Sequence, residues 1–244
     1  MIKLRYLLLI LSFFCGDSLF AQSVPKWGGA ADQKDISFGF SFSYVDSYFK
    51  IDKNANWRDP FIDKDGVKVT DPLNTISSPG SQGFAVGFLA RFMLTEHLEA
   101  RVTPSLVFAD RSLTYTYVTP SLNTTKSVQS TSVDLPVSLK IKSDRIGDFR
   151  AYILGGVKYS QGIGSRANAD AALAPIDKHV KNISGFGSYE AGLGCDIYFE
   201  FFKLSPEIKL SNSFGNVLLH EDHPYAAPIN KLSLHTLMFS LYFE

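Results

Sequence analysis

Cysteine is almost absent from this sequence: only Cys15 and Cys195 occur in 244 residues. That excludes a disulfide framework and a thiolate zinc site, which need several cysteines at set spacings. A surplus of positive charge is missing too, since 24 Lys+Arg face 24 Asp+Glu. A nucleic-acid binder needs a basic excess to neutralise phosphates, so that class of partner is excluded. No apolar run reaches the ~20 residues that a membrane-spanning helix requires. Methionine (3) and tryptophan (2) are scarce, whereas phenylalanine (20) and tyrosine (11) are plentiful. With 14% aromatics and 45% hydrophobics, the chain is rich in stiff strand formers and too apolar to stay disordered.

The first residues have an export pattern. Lys3 and Arg5 precede an apolar run from Tyr6 to Phe14, and Ser18-Leu19-Phe20-Ala21 follows. A basic start, a short apolar core and a small residue before the cut describe a secretory signal peptide, residues 1–21. A lipid anchor on Cys15 is the competing expectation, disfavoured by the bulk of Phe14 just before it. Cleavage after Ala21 removes Lys3, Arg5, Asp17 and Cys15, leaving 22 basic against 23 acidic groups and Cys195 alone.

Beyond that point the recurring signal is period-two alternation, the pattern of a strand with two unlike faces. Ile36, Phe38, Phe40, Phe42 and Tyr44 share one face, with Ser37, Gly39, Ser41 and Ser43 opposite. Similar runs begin near Phe84, Leu98, Val133, Phe149, Tyr189, Phe202 and Leu232, which makes eight strands. Tyr152 and Leu154 blur the fifth. Short turns fall near 95–97, at 143–148 and near 201, and long polar segments at roughly 50–82, 118–128, 162–185 and 212–230. An even number of strands with short turns at one end and long loops at the other predicts an outer-membrane barrel.

The polar faces of these strands carry full charges of both signs. In an eight-strand barrel the interior is only wide enough for side chains to fill it, and opposite charges can pair there where a lone one would be very costly. Arg91, Arg101, Glu190 and Asp196 are expected to be structural charges of that interior. Alternation alone does not say which face is inward. A water-soluble barrel with its apolar face inside is the competing architecture. The export signal, the alternating loop lengths and the terminal Tyr242-Phe243 favour the membrane version.

Candidate chemistry is thin. His220-Glu221-Asp222-His223 groups metal-capable side chains, but without helical spacing and just before Pro224, so it is expected to be a solvated loop. Asp63-Lys64-Asp65-Gly66 lacks the spacing and closing glutamate of a calcium loop and predicts a turn. Gly162-Ile163-Gly164-Ser165 lacks the lysine of a phosphate loop and predicts a strand leaving the membrane. Cys195 lies on an apolar face between Leu193 and Ile197, as a packed or lipid-facing thiol. Gly155, Gly156, Gly192 and Gly194 are expected to permit a bend or close packing at a crowded wall, and Gly192 and Gly194 to make room for bulky interior groups such as Arg91 or Arg150. No nucleophile-elbow motif occurs, and no catalytic, cofactor or metal residue is assigned.

The run from Tyr189 to Lys209, Tyr-Glu-Ala-Gly-Leu-Gly-Cys-Asp-Ile-Tyr-Phe-Glu-Phe-Phe-Lys-Leu-Ser-Pro-Glu-Ile-Lys, resembles the PorT family of outer-membrane β-barrels in the type IX (Por) secretion system of Bacteroidetes. The shared pattern is a Tyr-Glu-x-Gly-x-Gly-x-Asp strand, an aromatic-acidic turn, then Phe/Leu-Ser-Pro. Phe84–Phe88, Val102–Leu106, Val133–Pro136, Ile153–Gly156 and the final Phe-Glu fit in the same order. The resemblance extends from about Ile36 to Glu244 and is strongest in the last quarter.

It implies a non-enzymatic component of the cell outer membrane, required for type IX secretion and for export and maturation of cargo. Eight strands leave no aqueous channel for a folded protein, so the cargo pore lies elsewhere. The expected partners are outer-membrane lipids and other type IX secretion components, with no small-molecule substrate. The alternative is a general small barrel acting as an adhesin or envelope-stabilising protein. The expected layout is a signal peptide (1–21), a periplasmic segment (22–35) and an all-β, eight-stranded antiparallel up-and-down transmembrane outer-membrane β-barrel (36–244) with four long extracellular loops.

Overall fold

A computed structural model describes residues 35–163 and 173–244. The expected signal peptide, all of the expected periplasmic segment except Asp35, and Gly164-Ser165 lie outside the described residues. Among the described residues the strands are β1 (Ile36–Lys53), β2 (Leu73–Ser77), β3 (Ser81–Met93), β4 (Leu98–Val102), β5 (Ser105–Tyr117), β6 (Thr124–Lys142), β7 (Phe149–Gly162), β8 (Gly185–Tyr198), β9 (Lys203–Ser213) and β10 (Ile229–Phe243). All pairings are antiparallel. The circle closes where β1 meets β10, from Phe40↔Phe243 to Lys53↔Ile229.

Ten segments make eight staves. β4 and β5 are one stave broken at Thr103-Pro104; both halves pair with β3 on one side and β6 on the other. Proline has no N–H to give to a ladder, which accounts for the break. β2 is a short piece of the first long loop that extends the β3 edge and pairs with β5.

Exposure settles which face is inward. Ile36, Phe38, Phe40, Phe42 and Tyr44 point outward and are 48–73% exposed, while Ser41 and Ser43 are buried. Phe84, Phe88, Val137, Leu139, Ile153, Leu193, Ile208, Leu237 and Phe239 point outward likewise. A continuous apolar exterior of this extent belongs in hydrocarbon rather than water, so the barrel spans a membrane. Tyr152 and Leu154 keep strict register on β7. Both are buried in the lumen, with Ala151 and Ile153 outward between them.

The strands are longer than a bilayer requires. β1 has 18 residues, which at ~3.3 Å each and a tilt of ~40° rises ~45 Å, against an apolar band of ~25 Å. Above Tyr44 the faces of β1 exchange character: Asp46, Tyr48, Lys50 and Asp52 point outward, while Val45, Ser47 and Phe49 are buried. β5 does the same, with Asp110, Ser112, Thr114 and Thr116 outward and Leu113, Tyr115 and Tyr117 inside. So does β10, with Lys231, Ser233 and His235 outward and Leu232 and Leu234 inside. The extramembrane half is thus a small water-facing barrel with its own apolar core.

This extension redraws one expected loop. The second half of the segment 118–128 is strand; residues 118–123 connect β5 to β6, through a 3-10 turn at Pro120–Leu122. Thr124 to Val128 belong to β6, because threonine and valine favour extended backbone even where the outward face is polar.

Candidate functional site

The lumen of the membrane-spanning half is filled by an ionic lattice. Arg91, Arg101, Glu190 and Asp196 are all inside and no more than 3% exposed. Each pairs with other charged side chains of the lumen. Lys140 Nζ donates to both carboxylate oxygens of Asp196 at 2.8 Å, across the intervening β7. The same ammonium lies 3.2 Å from Glu99, which also meets Lys142 at 3.1 Å and Arg91 at 3.7 Å. Arg101 reaches across the lumen from β4 to Glu207 on β9 at 2.8 Å. Lys209 meets Glu190 at 3.3 Å, and Lys203 meets Glu244 at 2.8 Å, where Arg91 also contacts the Glu244 carboxylate.

Hydroxyls complete the lattice. Ser205 donates to Asp196 at 2.6 Å, and Tyr152 and Tyr242 donate to the two oxygens of Glu207 at 3.0 and 3.3 Å. Lys140 Nζ stands 3.8 Å from the Tyr152 ring centroid and the Arg101 guanidinium 4.5 Å from that of Tyr242. The members outside the expected quartet, Glu99, Lys140, Lys142, Lys203, Glu207, Lys209 and Glu244, share the inward parity of their strands. Parity alone was the available signal for them. It could not mark Tyr152 or Tyr242, whose apolar rings resemble outward residues.

The glycines have a different neighbour from the expected one. A Cβ at Gly194 would lie 2.6 Å from the Tyr152 hydroxyl oxygen, and one at Gly192 would lie 3.4 Å from Leu154. Neither makes room for Arg91 or Arg150. They accommodate the two apolar side chains that β7 turns inward. Arg150 lies instead at the short-turn end, where it donates to the carbonyls of Ser143 (2.6 Å) and Glu96 (2.9 Å).

Above the lattice, Val45, Ala85, Val107, Ala109 and Met238 form a thin apolar layer. The crown core follows, with Phe49, Leu113, Tyr115, Phe186, Leu218, Tyr225 and Leu232 among its buried members. The last long loop closes it. Tyr115 donates to the carbonyl of Tyr225 at 2.7 Å, Tyr225 donates to that of Ile176 at 2.9 Å, and Lys126 stands 4.4 Å from the Tyr225 ring centroid. His223 is fully buried here, which corrects the expectation of a solvated loop; His220 and Asp222 remain exposed. Chain packing into the barrel mouth draws the histidine in: the Tyr225 amide donates to His223 Nδ1 at 3.3 Å, and Ala226 and Ala227 amides donate to its carbonyl.

Other candidates resolve simply. Asp63 to Gly66 turn a hairpin, with Gly66 at φ +75° and its amide donating to the Asp63 carbonyl at 2.9 Å. Nearby, hydrogen bonds from Lys68 (2.7 Å) and Thr119 (2.6 Å) hold Asp71 below its ordinary carboxylate pKa. Cys195 is a partly exposed free thiol paired across the sheet with Ala151. Among the described residues no group of three His, Cys, Asp or Glu is placed to hold a metal ion.

A family model described as outer membrane protein beta-barrel domain matches residues 20–219. No curated protein matches the chain by sequence. Among solved structures it is similar to Neisserial surface protein A, at 9% identity and a TM-score of 0.43 over 86% of this chain and 98% of that one. It is also similar to OprG from Pseudomonas aeruginosa, at 14% identity and 0.39 over 86% and 96%. Ail, the attachment invasion locus protein of Yersinia pestis, matches at 10% identity and 0.37 over 86% and 99%.

Proposed function

The chain belongs to the outer membrane protein β-barrel domain family, and on that premise we propose that it is a non-enzymatic component of type IX protein secretion that supports the export machinery without forming the cargo pore. The protein is an outer-membrane barrel. The observation that carries the finer reading is the run Tyr189 to Lys209, which resembles the PorT family and also builds the lattice. Its alternating Glu190, Gly192, Gly194 and Asp196 face the lumen, and after the turn Lys203, Ser205, Glu207 and Lys209 do the same. The interior charges act in this reading as structural struts.

A filled lumen supports a role outside the pore. Lys140, Glu99, Asp196, Arg101, Glu207 and Tyr152 occupy the cross-section, and the crown core lies above them. A folded cargo has no path through this barrel, so its contribution to export would come from its surfaces. Deletion of the gene tests the reading: cargo should accumulate in the periplasm and disappear from the cell surface. Normal surface cargo in a clean deletion strain defeats it.

One observation favours a second reading, an adhesin or envelope-stabilising barrel. Among the described residues the crown is a packed extracellular platform with an apolar core. Under that reading the deletion strain would secrete normally and lose surface binding or envelope integrity.

A further inference from the structure

The short-turn end of the barrel has an unusual distribution of side chains. Three turns join β3 to β4, β6 to β7, and β8 to β9, and each exposes a large apolar residue: Leu94 at 55%, Ile146 at 79% and Phe201 at 89%. They lie on one connected arc. The first two turns are tied by His97 Nε2 and Asp144 Oδ1 at 2.9 Å, by the Lys142 amide to the His97 carbonyl at 2.8 Å, and by Arg150 across both. The second and third are tied by the Tyr198 amide to the Asp148 carbonyl at 2.9 Å and by Arg145, 3.8 Å from the Tyr198 ring centroid.

Charge is sorted along this arc by sign. Arg91, Lys142, Arg150 and Lys203 are buried in the lumen, and Arg145 folds back on Asp148 at 2.8 Å. Among the described residues of these turns the exposed basic group is His97, and it is turned onto Asp144. Glu96, Asp144 and Glu200 stand exposed beside the apolar tips. Among the described residues the three turns therefore present hydrophobic anchors among acids, with Arg91, Lys142, Arg150 and Lys203 drawn inward.

We propose that this periplasmic rim is a docking surface for a protein whose facing patch has apolar pockets ringed by lysine or arginine. An aromatic anchor entering a pocket, surrounded by complementary charge, is the usual energetic centre of such a contact. The acids decide against the other apolar partner, the inner-leaflet surface, because they would be set against phosphate-bearing headgroups. The inference rests on the secretion reading only for the partner's role; the surface itself is argued from the rim alone.

The test is a photoreactive phenylalanine analogue placed in turn at Phe201 and Ile146 in living cells, with Leu193 on the lipid-facing wall and Val118 on the outer loops as controls. Phe201 and Ile146 should give the same protein adduct, absent from both controls, with the cross-linked peptide rich in Lys or Arg. The double change Glu96→Lys with Glu200→Lys should lower that adduct at least about fivefold in a barrel whose heat-modifiable migration is unchanged, and Phe201→Ser should lower the Ile146 adduct. Adducts only to lipid, adducts to residues 22–34 of the same chain, or a protein adduct indifferent to charge reversal each overturn the inference. A charge-dependent adduct in cells whose deletion strain secretes normally keeps the interface and removes the secretion role. The reverse pair of results keeps secretion and removes the interface.

Discussion

Tyr152 fills the space that a side chain at Gly194 would need. A Cβ there would lie 2.6 Å from both the Tyr152 hydroxyl oxygen and the Pro206 carbonyl oxygen. Tyr152 cannot yield freely, because its hydroxyl is held by Glu207 at 3.0 Å and its ring by Lys140. Gly194→Ala should therefore destabilise the barrel by about 1–3 kcal/mol through overpacking, measured as a lower urea midpoint in lipid bilayers. Gly194→Ala with Tyr152→Leu should cost less than the sum of the two single changes.

The cross-lumen pair Arg101–Glu207, at 2.8 Å, gives a second prediction. Removing one partner leaves the other charge buried, so Arg101→Met alone should cost roughly 3–5 kcal/mol. Arg101→Met with Glu207→Gln should recover a large part of that loss. A double-mutant cycle in refolding experiments checks the sign, and strict additivity would remove the pair from the account.

The crown core predicts a local rather than a global lesion. Leu113 is fully buried among Phe49, Tyr115 and Leu232, and Leu113→Ala should cost about 2–4 kcal/mol by opening a cavity. The outer loops should then become protease-sensitive while the membrane-spanning part keeps its heat-modifiable migration.

Planar bilayers offer a fourth test. Two independent seals, the ionic lattice and the crown, predict no stepwise conductance for the intact protein. Excising residues 219–227 from the last loop should leave the bilayer silent as well, because Lys140, Glu99 and Asp196 still fill the lumen below.

The His97–Asp144 clasp between two periplasmic turns gives a pH dependence. The hydrogen bond with His97 holds Asp144 below its ordinary carboxylate pKa of 3.8. A depressed folded-state value means that its stabilisation is present above that pH and lost as pH falls through the lower, folded-state value. Exchange of the Lys142 amide, which donates to the His97 carbonyl, should accelerate over that acid range, and Asp144→Asn should remove the step.

Much of the wall was legible in the sequence because the two faces of a strand alternate. Leu237, Phe239, Leu241 and Phe243 mark their face whatever surrounds them. Period two is symmetric, however, between inside and outside, so the exchange of faces above Tyr44 passes unnoticed in a pattern that merely continues. The upper half of the β5–β6 hairpin was hidden because Thr124 to Ser127 are polar on both faces and so look like a loop. Ion-pair partners were illegible for another cause. Arg101 meets Glu207 across the lumen, 106 positions away, and no local pattern encodes which charges face each other over a closed circle. Tyr152 belongs to the same class, explained only once Gly194 is seen opposite.

The exchange of faces along β1, β5 and β10 fixes the depth of the barrel and the order of its biogenesis. Sinking the wall by one residue pair would carry Asp46 and Asp110 toward hydrocarbon; raising it would lift Tyr44, Phe84 and Phe108 into water. Both displacements cost free energy, which favours a single vertical register. A crown closed around Leu113 and Tyr115 is wet outside, and it could not pass through a bilayer afterwards. Its segments must therefore cross first and close on the far side, which makes insertion a one-way step.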